Sequence, residues 1–147
     1  MSHIQRSALV HYSPEEMYKL VNDVADYALF LPWCRSSEVK SETDSEMVAS
    51  VEIAKGVLNK TFTTRNQLQK GQRIELELVD GPFKKLTGSW QFDALKTENA
   101  CKVSLDLEFE FDNALMSLAA KPIFTQIANS LVDSFCKRAV VVYGERG

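Results

Sequence analysis

The chain has 147 residues, 45% hydrophobic and 25% charged, with a formal net charge of −3; that is enough for one domain over 1–147 burying about 68–70% of its unfolded surface. The acidic balance and the lack of any Lys/Arg block exclude a generic electrostatic grip on nucleic acid. No apolar run approaches the roughly 18–20 residues of a membrane span and the opening Met-Ser-His-Ile-Gln-Arg carries no signal-peptide core, so a cytoplasmic protein is expected, in at most transient contact with membranes.

The first strand is expected over 3–12, where Ile4, Ala8 and Val10 share a face. A complete helix start follows. Ser13 is placed as N-cap, Pro14 at the first helical position and Glu16 to close a capping box, with Tyr12 and Met17 spaced as a hydrophobic staple. The helix predicted over 15–24 puts Met17, Leu20, Val21 and Val24 on one side. The segment Asp26–Cys34 is aromatic and apolar around Pro32. It reads as a short second helix ending before the proline, and either as a packed corner or as one rim of a pocket.

Six more strands are predicted at about 35–43, 47–55, 59–69, 73–79, 84–93 and 101–112, punctuated by Gly56, Gly71 and Asp80-Gly81-Pro82. The last is the plainest. Val103, Leu105, Leu107, Phe109 and Phe111 alternate with polar residues, the period of a strand with one packed face. After Pro122 the period becomes helical, with Ile123, Phe124, Ile127, Ala128, Leu131, Phe135, Ala139 and Val142 on one broad face. Either the helix starts at Pro122, or a turn over 113–121 leads into it with a kink. A helix over 122–143, about 33 Å long, matches the reach of such strands, so it can lie along the sheet and enclose space as well as core.

Catalytic signatures are few. His3 and His11 sit about 26 Å apart along a strand and cannot share a metal. Cys34, Cys101 and Cys136 are widely spaced and odd in number, which fits neither a disulfide framework nor a zinc site. Phosphate loop, nucleophile elbow and His-Glu-x-x-His pattern are all missing. Asp106, Glu108 and Glu110 alternate with core residues and read as a solvated face rather than a converging pair. The reading is therefore of a protein that is not an enzyme and needs no metal. Arg65 lies in an unusually polar strand, Lys60-Thr-Phe-Thr-Thr-Arg-Asn-Gln-Leu68. Pointing inward, its parity would anchor a ligand head group; pointing outward, it would offer a partner surface. The alternation leaves both open.

The order of strand, two helices, six strands and long C-terminal helix resembles the α+β helix-grip fold of the START-like superfamily, a curved antiparallel sheet of about seven strands around one helix. Tyr27-Ala-Leu-Phe-Leu-Pro-Trp-Cys34 is similar to a segment of its coenzyme Q-binding family. Lys60–Leu68 and Leu78–Leu86, with Gly88, Trp90 and Phe92, resemble that family's bacterial branch, the ribosome association toxins. The resemblance implies two roles. One is binding of ubiquinone, another polyprenyl quinone or a lipid in support of respiration. The alternative is binding of the large ribosomal subunit to block its union with the small one. A polyketide cyclase activity would follow from fold analogy alone. Lys121-Pro122 departs from the family pattern and predicts a kink.

On the first role, the expected cavity walls are Phe62, Leu76, Leu78, Trp90, Phe92, Leu105, Phe109, Phe124, Leu131 and Phe135, with Phe30, Trp33 and Phe83 at the mouth. On the second, Lys60, Arg65, Lys84 and Lys85 are the local cations that could meet a partner.

Overall fold

The structure, a computed structural model, describes residues 1–97 and 99–146. Among these residues seven strands form: β1 (Ser2–Val10), β2 (Cys34–Glu42), β3 (Glu46–Lys55), β4 (Leu58–Gln69), β5 (Arg73–Asp80), β6 (Phe83–Ala94) and β7 (Cys101–Phe111). They make an antiparallel sheet in the order β1-β7-β6-β5-β4-β3-β2. Strands β2 to β7 are successive hairpins, and β1 completes the sheet on β7, with Ile4 opposite Leu107. The alternation of β7 holds throughout: Cys101, Val103, Leu105, Leu107, Phe109 and Phe111 are buried, while Ser104, Asp106, Glu108 and Glu110 are half-exposed on the other face.

The helix α1 (Pro14–Asn22) begins as its sequence predicts. The Glu16 amide donates to Ser13 Oγ at 3.1 Å and the Ser13 amide to Glu16 Oε1 at 2.9 Å, while Tyr12 and Met17 are both buried beside the cap. The next helical stretch is a 3-10 helix over Val24–Leu29 rather than one within 26–34. Its tight turns show in the Asp26 amide bonding back three residues to Asp23. The chain then rounds a corner at Leu31-Pro32.

The C-terminal helix corrects the sequence expectation. Helix α2 runs unbroken over Ala114–Tyr143, starting eight residues before its proline. Asn113 caps it, accepting from the Met116 amide at 2.7 Å. Pro122 is tolerated because it sits on the exposed side, where water can serve the Leu118 carbonyl that loses its partner. Buried residues are Ala120, Phe124, Ile127, Ala128, Val132, Phe135 and Ala139. Val132 replaces Val142 in the expected stripe, since Val142 is 47% exposed. Thirty residues make α2 about 45 Å long, and its first turns carry Leu115 and Leu118 out into solvent.

Helix α2 packs chiefly on β1 and β7, so the β3–β5 half of the curled sheet is covered less closely. At Gly88 the sheet is pinched. A Cβ there would stand 2.6 Å from the Asp106 carbonyl oxygen and 2.8 Å from Leu107 Cδ1, so only glycine lets β6 and β7 approach this far.

Candidate functional site

Incomplete cover leaves a hollow. Between α2 and the concave face of the sheet lies a cavity of about 100 Å³. Of the residues expected to form it, Trp33, Phe62, Leu76, Trp90, Leu105, Phe124, Leu131 and Phe135 line it. The other five lie off it. Phe83 and Phe109 are buried in an aromatic cluster with Phe111 and Phe124, where Phe83 stacks on Phe111 at 4.8 Å. Phe92 stacks beside Trp90 and meets the edge of Tyr18. Leu78 is half-buried at the end of β5, and Phe30 packs on Phe135 under the Arg138 guanidinium, 4.9 Å from its ring. Nor are Trp33 and Phe83 at a mouth, being 8% and 6% exposed. The half-exposed lining residues are Tyr27, Phe62, Leu76 and Leu131.

The lining is mostly apolar, as a ligand pocket requires, and both tryptophans of the chain belong to it. Its polar groups are few. Tyr27 donates its hydroxyl to the Val21 carbonyl, and burial pushes that phenol well above its ordinary range. Trp33 Nε1 is buried without a partner. Thr64 and Asn66 project inward from β4, and Thr64 Oγ1 donates to Asn66 Oδ1 at 2.8 Å. The volume sets a size. An apolar cavity of about 150 Å³ holds one benzene, so this space is on the scale of a small ring. A polyprenyl tail does not fit unless α2 lifts or the tail lies outside.

The parity left open in the sequence is resolved on β4. Arg65 and Gln67 face outward, and Phe62, Thr64, Asn66 and Leu68 face the sheet's inner side. Arg65 reaches Glu46 at 3.3 Å. Thr64 and Asn66 are polar lining residues absent from the sequence expectation, as are apolar ones such as Val21, Tyr27, Ala49, Ile74, Leu107 and Ile127. The pair shares a face with Phe62 and Leu68, but Thr61, Thr63, Arg65 and Gln67 make the opposite face polar as well.

The expected partner surface is largely self-paired. Lys84 stands 3.9 Å from Glu110 and Lys85 3.4 Å from Glu108, both across the β6–β7 pair, while Lys60 is simply exposed. The acidic row of β7 is therefore engaged with neighbouring strands. Asp106 takes His3 at 2.7 Å and Gln5 at 3.0 Å, and these bonds, Gln5 first, hold its carboxyl below the usual range. Cys101 is buried, which pushes its thiol up to about 12, and burial also raises Cys34 and Cys136. None is poised as a thiolate. Among the described residues no group of His, Cys, Asp or Glu could hold a metal, and no helix is long and apolar enough to cross a membrane.

Comparison with known proteins agrees with this architecture. The family model described as polyketide cyclase/dehydrase and lipid transport matches residues 10–136. The ribosome association toxin RatA of Pseudomonas aeruginosa is 50% identical, covering 97% of this chain and 99% of its own length. The protein of the same name from Escherichia coli is 49% identical over 99% of this chain and 92% of its own. The mitochondrial coenzyme Q-binding protein COQ10 of Drosophila melanogaster is 30% identical, over 88% of this chain and 55% of its own length. Among solved structures, the Zhui aromatase/cyclase of Streptomyces superposes with a TM-score of 0.82 over 99% of both chains at 15% identity, a likeness of fold alone.

Proposed function

This chain belongs to the polyketide cyclase/dehydrase and lipid transport family and, within it, to the ribosome association toxins; from that premise we propose that it is a non-enzymatic regulator that binds the large ribosomal subunit and opposes its union with the small one. The observation that carries this reading is identity near 50% running the full length of both chains in the RatA relatives. From the residues alone the pocket comes first, and it is this end-to-end likeness that reverses the order. The net charge of −3 and the self-paired lysines of β6 argue for a shape-specific contact rather than a diffuse hold on RNA.

Sedimentation with purified large subunits tests the proposal. Co-sedimentation at low salt, with a fall in joined ribosomes when the protein is added before the small subunit, is the expected result. Failure to co-sediment at low salt, where charge contacts are strongest, refutes it.

A second reading has its own support in the cavity: an apolar small molecule bound between α2 and the sheet. The name of the COQ10 relative favours a quinone as that molecule, and a quinone ring is nearer the size of the space than its tail is. Organic extraction of the purified protein followed by mass spectrometry, with melting measured against a short-chain ubiquinone, tests it. Absence of both a bound molecule and any rise in Tm refutes it. The inventory of side chains favours binding over catalysis in both readings, because the acids face outward and the thiols are protonated.

A further inference from the structure

We propose that the cavity recognises a compact apolar molecule, about one ring in size, that carries a hydrogen-bond-accepting oxygen, and that Asn66 Nδ2 is the group that receives this oxygen. The inference rests on the pocket reading given above and deepens it.

Asn66 is 95% buried (5% exposed) in the middle of a strand whose inner face is otherwise meant for core. Its Oδ1 already accepts from the Thr64 hydroxyl at 2.8 Å. Among the described residues no protein acceptor takes the hydrogens of its Nδ2. Among the described residues the side-chain polar atoms sealed without a partner are Asn22 Oδ1 and Trp33 Nε1, so Nδ2 keeps an open side from which an acceptor can reach it, where a leucine would offer none. With the Thr64 hydroxyl donating to Oδ1, the nitrogen is the free end of the amide. Across the strand pair, Thr64 stands opposite Ala49, whose small side chain also borders the cavity. The polar end of the space is thus held open rather than packed.

Water is the competing occupant, and the count of partners disfavours it. A space of about 100 Å³ would take about three waters at roughly 30 Å³ each, and every one needs two to four polar partners. The lining offers the Thr64–Asn66 pair, while the Tyr27 hydroxyl is committed to Val21 and Trp33 Nε1 is sealed. One molecule with a single accepting oxygen and an apolar body matches that inventory.

Cyclohexanone and methylenecyclohexane test this directly, since they share size and shape and differ in one oxygen. Binding is read from the side-chain amide signals of Asn66 by NMR and from tryptophan emission, because Trp33 and Trp90 both border the space. Cyclohexanone is expected to bind about two- to tenfold tighter than methylenecyclohexane and to move the Asn66 amide signals. N66L is expected to abolish or invert the preference while still binding methylenecyclohexane. T64V, which frees the amide to turn, is expected to reduce the preference and serves if N66L does not fold. Equal binding of the two probes to the unaltered protein overturns the proposal and leaves the pocket reading standing. Binding of neither overturns both.

Discussion

Replacing Phe135 with alanine probes whether the space under α2 is held open by the backbone or merely left by poor packing. The ring is 1% exposed and meets Tyr27, Phe30 and Trp90 at 5.5, 5.4 and 5.4 Å between centroids. Returning such a side chain to water removes about 1.5–3 kcal/mol of transfer energy. A void of roughly 100 Å³ left in its place adds about 2.4 kcal/mol at 24 cal/mol per Å³. Because Phe135 already borders a hollow on one side, fewer contacts are lost than in a filled core. The expected loss is about 3–4 kcal/mol, in the lower part of the range for such truncations. Urea unfolding followed by circular dichroism measures it, with an unchanged slope as the control. The merged void should also take benzene, so saturating benzene raises the variant's midpoint more than that of the unaltered protein. A loss under about 1 kcal/mol with no benzene effect would mean that α2 settles onto the sheet and that the cavity is not a fixed feature.

Three other outcomes follow from the same structure. Arg146 bonds Glu16 through both carboxylate oxygens, at 2.7 and 2.9 Å, and this chiefly holds the Glu16 carboxyl below its usual range. A depressed folded-state pKa stabilises above the unfolded value and ceases to do so as pH falls through the folded one, so R146Q lowers the urea midpoint slightly at neutral pH and leaves it unchanged once the carboxylates are protonated. Gly88→Ala sets a Cβ against backbone on β7 and should cost about 1–3 kcal/mol, with tryptophan emission altered through Leu107 and Trp90. Pro122→Ala should raise stability by about 1–2 kcal/mol, since the helix bond restored to Leu118 outweighs the roughly 0.4–1 kcal/mol lost by loosening the unfolded chain; a lower midpoint would contradict the account of how α2 passes its proline.

The strands and α1 were readable because their signals are local and concordant. Alternation in β7 and the Ser13–Glu16 box each fix an element without help from distant residues. The start of α2 was not, because Pro122 outweighed Asn113, and only its exposed placement shows why the helix survives it. The site was legible by half. Alternation identifies which face a residue joins but not how far along the sheet it lies, so Phe83, Phe92 and Phe109 reached the correct face and missed the hollow. Thr64 and Asn66 cannot be singled out from the sequence because both parities of β4 carry polar residues, and register with β3 and β5 is needed to choose between them.

The order of the elements has a consequence for synthesis. Among the described residues β1 finds its strand partner in β7, so β1 leaves the ribosome well before its neighbour exists. Helix α2 follows all seven strands, and at 5–20 residues per second its thirty residues take about 1.5–6 s. Through that interval the greasy hollow of the sheet has no lid, and the nascent polypeptide must avoid sticking to others until α2 folds over it.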